Sequence, residues 1–185
     1  DCTITSNAII GRTNMPSAKR GNGIQLWNTA NNEIAVNTIR AKRDGIYLSY
    51  ADANFIAGNR IEESRFGIHY MYSHRNRLLT NDLTANTVGA TLMFPRDCLI
   101  EGNRITDAAG DGITVGWDLS IGVDPIIRGN TIRSSGAIAI NVKSRAKPTL
   151  EGNVLEENQS GVMLNRSDAT VVGNQIRGHV GVGIA

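Results

Sequence analysis

The chain has 185 residues and nearly balanced charges, with 19 Lys and Arg against 17 Asp and Glu and a net charge of +2. The length suits one domain with a sizeable core, the even spread of basic residues disfavours nucleic-acid binding, and no apolar run is long enough to predict membrane insertion. Gly and Asn account for 39 of the 185 residues, and both are frequent in tight turns. The composition therefore favours a fold with many turns over a helical bundle.

A repeat of about 22 residues runs along the chain. It is marked by an Asn with an aliphatic residue three positions before it and another two positions after it, sixteen of sixteen in all. The marker residues are Asn7, Asn37, Asn59, Asn81, Asn103, Asn130, Asn153 and Asn174. Repeats of this period are typical of solenoid folds, and a recurring Asn suits a ladder of amide side chains at an internal bend. We therefore interpret the Asn column as structural.

Each repeat also contains a Gly that opens an alternating apolar strand, as in Gly45-Ile-Tyr-Leu48 and Gly112-Ile-Thr-Val115. Three short segments per repeat alternate between apolar and polar residues, which indicates half-buried strands. The sequence therefore predicts an all-β fold, a right-handed parallel β-helix of about eight coils with three short strands each. We expect residues 1–185 to form a single β-helix domain that is a fragment of a longer protein, without its signal peptide.

Two repeats are longer than the others, with 30 residues from Asn7 to Asn37 and 27 from Asn103 to Asn130. Insertions are expected around residues 11–22, which are rich in Arg, Lys and Ser, and around residues 117–124. Loops on one face of a solenoid are frequent binding sites.

The two cysteines, Cys2 and Cys98, occupy the same position of repeats that lie four coils apart. Four strand spacings amount to roughly 19 Å, whereas a disulfide needs Cα atoms within about 7 Å. Both are therefore predicted to be free thiols.

The outward side of the Gly-led strands carries the candidate functional residues. Because neighbouring coils lie about 5 Å apart, side chains at equivalent positions should form one exposed aromatic and thioether patch, which is typical of a binding surface. The members of this patch are Trp27, Tyr47, His69, Met71 and Met93, with Tyr50, Tyr72 and Phe94 beside it; Trp117 likewise comes just past its strand.

Three hypotheses compete for this patch. Imidazole and thioether groups suit copper, and the candidate metal ligands are His69, Met71, His74 and Met93. Aromatic platforms suit a polysaccharide, and the candidate ligand-binding residues are Trp27, Tyr47, Tyr50, Tyr72 and Phe94. In the third hypothesis the patch docks a protein partner.

An enzymatic role is the alternative to pure binding. Hydrolysis needs a pair of carboxylates, and Asp44 and Asp111 should lie three coils, roughly 14 Å, apart. A polysaccharide lyase would instead need a base beside a cation, and the candidates are Tyr47, His69, Arg65 and Arg96.

Part of the sequence resembles a known family. The segments Gly21-Asn-Gly-Ile-Gln-Leu-Trp-Asn28, Arg43-Asp-Gly-Ile-Tyr-Leu-Ser49 and Arg65-Phe-Gly-Ile-His-Tyr-Met-Tyr-Ser73 are similar to NosD, as are Thr91-Leu-Met-Phe94 and Ile100-Glu-Gly-Asn103. The resemblance covers residues 21–103, and Gln25 stands where His is expected.

The resemblance implies a periplasmic β-helix protein that works with an ABC transporter in maturing the copper sites of nitrous oxide reductase. By residue, it directs attention to Trp27, His69, Met71, Tyr72 and Met93. The expected partners are then the reductase and the transporter, with copper as the bound metal, and the alternative is a polysaccharide-binding or polysaccharide-cleaving protein.

Overall fold

The computed structural model describes residues 1–116 and 124–185, which form a parallel β-solenoid of three sheets. The first sheet contains β1 (Thr3–Thr5), β4 (Glu33–Ala35), β7 (Phe55–Ala57), β10 (Arg77–Leu79), β13 (Leu99–Glu101), β16 (Ile126–Arg128), β19 (Thr149–Glu151) and β22 (Thr170–Val172). The second contains β2 (Ala8–Ile10), β5 (Thr38–Arg40), β8 (Arg60–Glu62), β11 (Asp82–Thr84), β14 (Arg104–Thr106), β17 (Thr131–Arg133), β20 (Val154–Glu156) and β23 (Gln175–Arg177). The third contains β3 (Ile24–Ala30), β6 (Asp44–Asp52), β9 (Phe66–Met71), β12 (Val88–Met93), β15 (Ile113–Gly116), β18 (Ile138–Lys143) and β21 (Ser160–Asn165).

Each coil adds one strand to each sheet, and every strand pairs in parallel with its equivalent in the next coil. The predicted β-helix with three strands per coil is therefore confirmed. Two sheets have eight strands and the third has seven within the described ranges, so the solenoid makes about seven full turns, slightly fewer than the eight expected. The insertion predicted around residues 117–124, including Trp117, lies outside the described residues except for Asp124.

The aliphatic columns of the repeat fill the inside of the solenoid. Ile34, Ile56 and Ile100 from the first sheet are fully buried, and so are Ile39 and Ile61 from the second. Burying a side chain of this size stabilises a fold by roughly 1.5–3 kcal/mol. The regular aliphatic spacing thus produces one continuous core along the axis.

The Asn column forms the predicted ladder. Asn81 donates from its backbone N and its Nδ2 to Oδ1 of Asn103, over 2.9 and 3.0 Å, and Asn59 donates in the same way to Asn81. Nδ2 of Asn81 also donates to the carbonyl of Ile56. These bonds satisfy buried backbone and amide groups that would otherwise be costly to desolvate. A second ladder joins Asn32, Asn54 and Asn76, in the column shared with the two cysteines.

The residue before each Asn of the first ladder makes the turn. All eight have left-handed backbone conformations with φ from 50° to 65°: Ser6, Val36, Gly58, Thr80, Gly102, Gly129, Gly152 and Gly173. The Asn residues of this ladder do not have positive φ. Asn is therefore used here for its side-chain hydrogen bonds rather than for its tolerance of the left-handed conformation.

The Gly that opens six of the seven strands of the third sheet is required by a close backbone approach. A Cβ on Gly45 would lie 2.6 Å from the carbonyl oxygen of Gly67 and 2.3 Å from Cγ2 of Ile61. A Cβ on Gly23 would lie 2.4 Å from the carbonyl oxygen of Gly45. At these Gly positions the neighbouring coils leave no room for a Cβ, whereas the equivalent position of β18 holds the fully buried Ala139.

The insertion at residues 11–22 is attached to the coil beneath it. The backbone N of Gly11 donates to the carbonyl of Arg40 over 2.8 Å, and the segment includes a short 3-10 helix, Ser17–Lys19. No helix in the described chain is long and apolar enough to cross a membrane.

Cys2 is exposed and Cys98 is buried, and both are free thiols, as predicted.

Candidate functional site

The outer face of the third sheet forms a cleft over β6, β9 and β12. Strand register places Tyr47 beside His69, and Met71 lies between Ser49 and Met93. The cleft has a volume of about 530 Å³ and is lined by Asn22, Gln25, Arg43, Asp44, Tyr47, Arg65, Phe66, His69, Met71 and Met93. Five of the predicted site residues therefore converge, namely Tyr47, Arg65, His69, Met71 and Met93.

A buried carboxylate organises the centre of the cleft. Asp44 is only 2% exposed. Its Oδ1 accepts a hydrogen bond from Nε of Arg65 over 2.9 Å, and its Oδ2 lies 2.9 Å from Nη2 of Arg65 and 3.1 Å from Nδ1 of His69. The bidentate geometry with Arg65 is the strongest form of this ion pair, so the carboxylate is held in one orientation.

The protonation of Asp44 fixes the role of each imidazole nitrogen. Burial acts to raise the pKa of this carboxyl, but the hydrogen bonds from His69 and Arg65 outweigh it and hold the pKa below its usual range. An ionised carboxylate can only accept hydrogen bonds, so Nδ1 of His69 carries the proton that it donates. In the neutral imidazole, Nε2 then presents a lone pair.

Nε2 of His69 is buried and has no hydrogen-bond partner within the described chain. A buried polar atom without a partner costs about 1–3 kcal/mol, and such atoms are rare in folded proteins. The Asp44–His69 contact therefore occupies Nδ1 and leaves Nε2 of the imidazole without a partner in the described chain.

Aromatic rings enclose His69. Its ring centroid lies 4.9 Å from that of Tyr47 on the preceding coil and 4.9 Å from that of Phe66 on its own strand, and Arg65 lies over Phe66 at 4.4 Å. His69 is consequently only 5% exposed. The prediction that His69 belongs to an exposed patch is wrong, because neighbouring side chains cover an outward position.

Two thioethers lie beside the imidazole. Met71 and Met93 are direct partners in adjacent strands and are both half-buried. The hydroxyl of Tyr47 lies 3.6 Å from Sδ of Met71. Within the described residues, no three His, Cys, Asp or Glu side chains are grouped to hold a metal ion. The cleft therefore combines one imidazole with two soft sulfur donors.

Two predicted site residues lie elsewhere. His74 follows the end of β9, and its backbone N donates to Oδ1 of Asp52 over 2.8 Å. The carbonyl of Arg96 accepts a hydrogen bond from the backbone N of Arg75. Neither His74 nor Arg96 is among the described residues that line the cleft. The fold thus separates His74 from the other candidate metal ligands and Arg96 from the other candidate catalytic residues.

Three of the remaining aromatic candidates form a stacked ladder, with Tyr50 near the end of β6 and with Tyr72 and Phe94 directly after β9 and β12. Tyr50 and Tyr72 stack with centroids 5.2 Å apart, and Tyr72 and Phe94 stack at 4.3 Å. Trp27 is 69% exposed on the preceding coil. None of these rings lines the cleft, and Tyr72 lies between the other two rings of the stack.

Comparison with known families identifies the chain. The family of periplasmic copper-binding proteins known as NosD matches residues 1–185. The chain belongs to the NosD family. The match extends well beyond residues 21–103, to which the sequence resemblance was confined. The family is described as periplasmic and copper-binding. In this NosD chain, the cleft contains two thioether side chains, Met71 and Met93, which are soft metal ligands.

Two solved structures are similar to the chain at low sequence identity. An alginate lyase from Paenibacillus sp. str. FPU-7 is similar over 91% of this chain and 78% of its own, with a TM-score of 0.46 and 13% identity. A tailspike protein double mutant of E. coli bacteriophage HK620 is similar over 83% of this chain and 45% of its own, with a TM-score of 0.39 and 11% identity. A comparison with curated protein sequences found no match.

Sequence reasoning missed how Asp44 acts in this NosD chain. Asp44 was considered only as half of a hydrolytic carboxylate pair. The signal that could have revealed its role is the spacing: Asp44 pairs in register with Phe66, which places it beside Arg65 and three residues from His69. Gln25, at the position where His was expected, lines the same cleft and accepts a hydrogen bond from Asn22.

Proposed function

We propose that this NosD chain binds copper as Cu(I) in the cleft, through Nε2 of His69 and the sulfur atoms of Met71 and Met93. The observation that carries the proposal is the buried Nε2 atom, which has no partner in the described chain while Asp44 holds Nδ1. Carboxylate–imidazole pairs of this kind orient metal-binding histidines and strengthen them as ligands.

The arrangement of the strands supports the donor set. Met71 and Met93 lie on adjacent coils about 4.8 Å apart, and His69 lies two residues from Met71, or about 6.6 Å along the same strand. Met side chains are flexible and polarisable, so both sulfurs can turn toward one ion near the imidazole. Thioether sulfur is a soft ligand that favours Cu(I), while imidazole also binds copper well.

A transfer role follows from the chemistry of these ligands. The thioethers are neutral and half-buried, so the ion is held without a charged cage and remains accessible from one side. Together with the family resemblance, this supports a role in delivering copper during the maturation of nitrous oxide reductase, with an ABC transporter as a partner. That the reductase and the transporter are partners of this chain is part of the proposal.

Competition with a chromophoric Cu(I) chelator under anaerobic conditions tests the ligand assignment. We expect one Cu(I) per wild-type chain and a loss of affinity of tenfold or more in Met71→Ala and in His69→Ala. Met163→Ala is the matched control, because Met163 lies on β21, outside the cleft. Equal affinity in wild type and Met71→Ala would refute the assignment.

The maturation role has its own test. In a denitrifying host that depends on this protein, Met71→Ala should lower the copper content of nitrous oxide reductase, whereas Met163→Ala should leave it unchanged. Full copper loading of the reductase in the Met71→Ala strain would remove the maturation role, even if copper binding in vitro were confirmed.

A second candidate function is polysaccharide cleavage, favoured by the convergence of Tyr47, His69 and Arg65 in the cleft. Arg65 is already paired with Asp44, which reduces its capacity to bind a sugar carboxylate. A lyase would release an unsaturated sugar that absorbs in the ultraviolet. Absence of such a product across uronate-containing polysaccharides would exclude this alternative.

A further inference from the structure

The basic insertion at residues 11–22 forms a second cleft with the coil below it. This cleft has a volume of about 370 Å³ and is lined by Ile10, Gly11, Arg12, Met15, Lys19, Arg20, Gly21 and Lys42. Its size lies near the lower end of the range of about 300–1,000 Å³ that is usual for small-molecule sites. Four of the eight lining residues are cationic and none is acidic.

Arg20 holds the insertion in place. Its Nε donates to the carbonyl of Met15 over 2.8 Å, and its two terminal nitrogens donate to the carbonyls of Thr13 and Glu63 over 3.1 and 3.2 Å. One guanidinium thus links two points of the insertion to the corner of a coil further along the solenoid. Because three of its nitrogens already donate to backbone carbonyls, Arg20 has a structural role in the cleft. We do not count it among the cations that would bind a ligand.

The other three cations are uncompensated. Arg12, Lys19 and Lys42 form no ion pair with a carboxylate in the part of the chain that the structure describes. The nearby carboxylate of Glu63 is paired with Arg40. Grouping like charges without partners is unfavourable in the free protein, and a polyvalent anion would relieve the repulsion.

We propose that this cleft binds a phosphate group, with Arg12, Lys19 and Lys42 as its ligands. Arg presents a planar fork that matches phosphate oxygens, and Lys adds compact point charges. The cleft also has an apolar side, formed by Ile10 and Met15, and it is larger than a bare phosphate ion needs. A phosphate ester, in which an organic group lies against the apolar side, therefore fits better than inorganic phosphate.

Calorimetric titration of the full chain at low ionic strength tests this site, with sn-glycerol 3-phosphate and inorganic phosphate as probes. The test variant is R12Q/K19Q/K42Q, and the control is R77Q/K147Q/R166Q, which removes the same charge from exposed cations elsewhere. We expect measurable binding by the wild type and the control, and affinity at least tenfold weaker in the test variant. If both variants lost affinity equally, the loss would be explained by the lower net charge, and the proposal would be overturned.

Two further arms separate the sources of the phosphate. Co-sedimentation with phosphatidylcholine vesicles containing phosphatidic acid tests for a lipid headgroup, and the soluble probes test for a free ester. Binding that depends on Arg12, Lys19 and Lys42 in either arm supports the site. An acidic peptide without phosphate is the negative control. The proposal would be overturned if neither the vesicles nor the soluble phosphates bound, or if the three cations were needed only for binding the acidic peptide. Because these residues lie outside the His69 cleft, failure here leaves the copper proposal untouched, and the reverse also holds.

Discussion

The carboxylate of Asp44 lies 3.1 Å from Nδ1 of His69 and accepts two hydrogen bonds from the guanidinium of Arg65. This contact connects residues from two adjacent coils, and it decides which nitrogen of the imidazole is available to a ligand. The candidate copper cleft of this NosD chain is therefore organised by a residue outside the proposed set of copper ligands.

Replacing Asp44 by Asn should weaken Cu(I) binding by about 10–100-fold, the usual effect of removing a metal ligand's hydrogen-bond partner. The amide cannot hold His69 in the same charge-assisted orientation, although all three donor side chains remain. Chelator competition measures the affinity, and circular dichroism confirms that the variant is folded.

Asp111→Asn is the matched control for this change. Asp111 occupies the equivalent position three coils further along the third sheet, where it accepts hydrogen bonds from Thr114 and Asn141. It should leave Cu(I) affinity unchanged. A similar loss of affinity in both variants would show that Asp44 acts through general stability and not through His69.

Removing one rung of the Asn ladder should destabilise the whole solenoid. Asn81→Ala leaves the backbone N of Asn59 without its partner and removes one hydrogen bond each from Nδ2 of Asn59 and from the carbonyl of Ile56. Each unsatisfied buried group costs about 1–3 kcal/mol, so the free energy of unfolding should fall by roughly 3 kcal/mol. Urea denaturation measures the loss. Asn165→Ala, an exposed Asn at a strand end, should change the free energy by less than about 0.5 kcal/mol.

Val36→Gly should stabilise the protein. Val36 is 65% exposed and has a φ of 56°, a conformation that is costly for a β-branched residue. Five of the other seven turns use Gly at this position. Relief of about 1–2 kcal/mol of backbone strain should outweigh the entropy that Gly loses on folding, and the melting temperature should rise.

Whether a Val→Gly substitution raises or lowers the melting temperature should depend on the backbone conformation at that position. A second valine tests this. Val172 is also exposed but lies in strand β22 without a positive φ. Val172→Gly should lower the melting temperature, because Gly weakens a strand. If both substitutions shifted the melting temperature in the same direction, the strain at Val36 would not be the cause.

The two thiols should differ sharply in reactivity. Burial raises the pKa of Cys98 from 9.0 to about 12, so its thiol stays protonated and protected at pH 8, whereas Cys2 is exposed. A disulfide reagent should label one thiol per native chain at pH 8 and two after unfolding in urea. Rapid labelling of Cys98 in native Cys2→Ser protein would contradict its burial.

The architecture was predictable because it depends on regular spacing. An Asn and two aliphatic residues recur about every 22 residues, and parallel stacking places such columns on top of one another. The second ladder, through Asn32, Asn54 and Asn76, escaped prediction because only these three members of its column are Asn. The other five are Cys2, Cys98, Pro125, Pro148 and Ala169.

The site was less predictable because it depends on contacts at a corner. Alternation along a strand predicts which side chains point outward, but it does not predict how far neighbours cover them, as Tyr47 and Phe66 cover His69. Asp44 is the first residue of β6 and is buried beside Gly45, where the coils approach closely. The columns thus predicted Met71 and Met93 as neighbours but could not predict the Asp44–His69 contact.

X-ray absorption spectroscopy of the Cu(I)-loaded chain tests the copper site most directly. We expect a coordination shell of two sulfur atoms and one imidazole nitrogen in the wild type and in Met163→Ala, and one sulfur fewer in Met71→Ala. A shell made only of nitrogen and oxygen, or a sulfur count that is unchanged in Met71→Ala, would contradict the assignment of this cleft as the copper site.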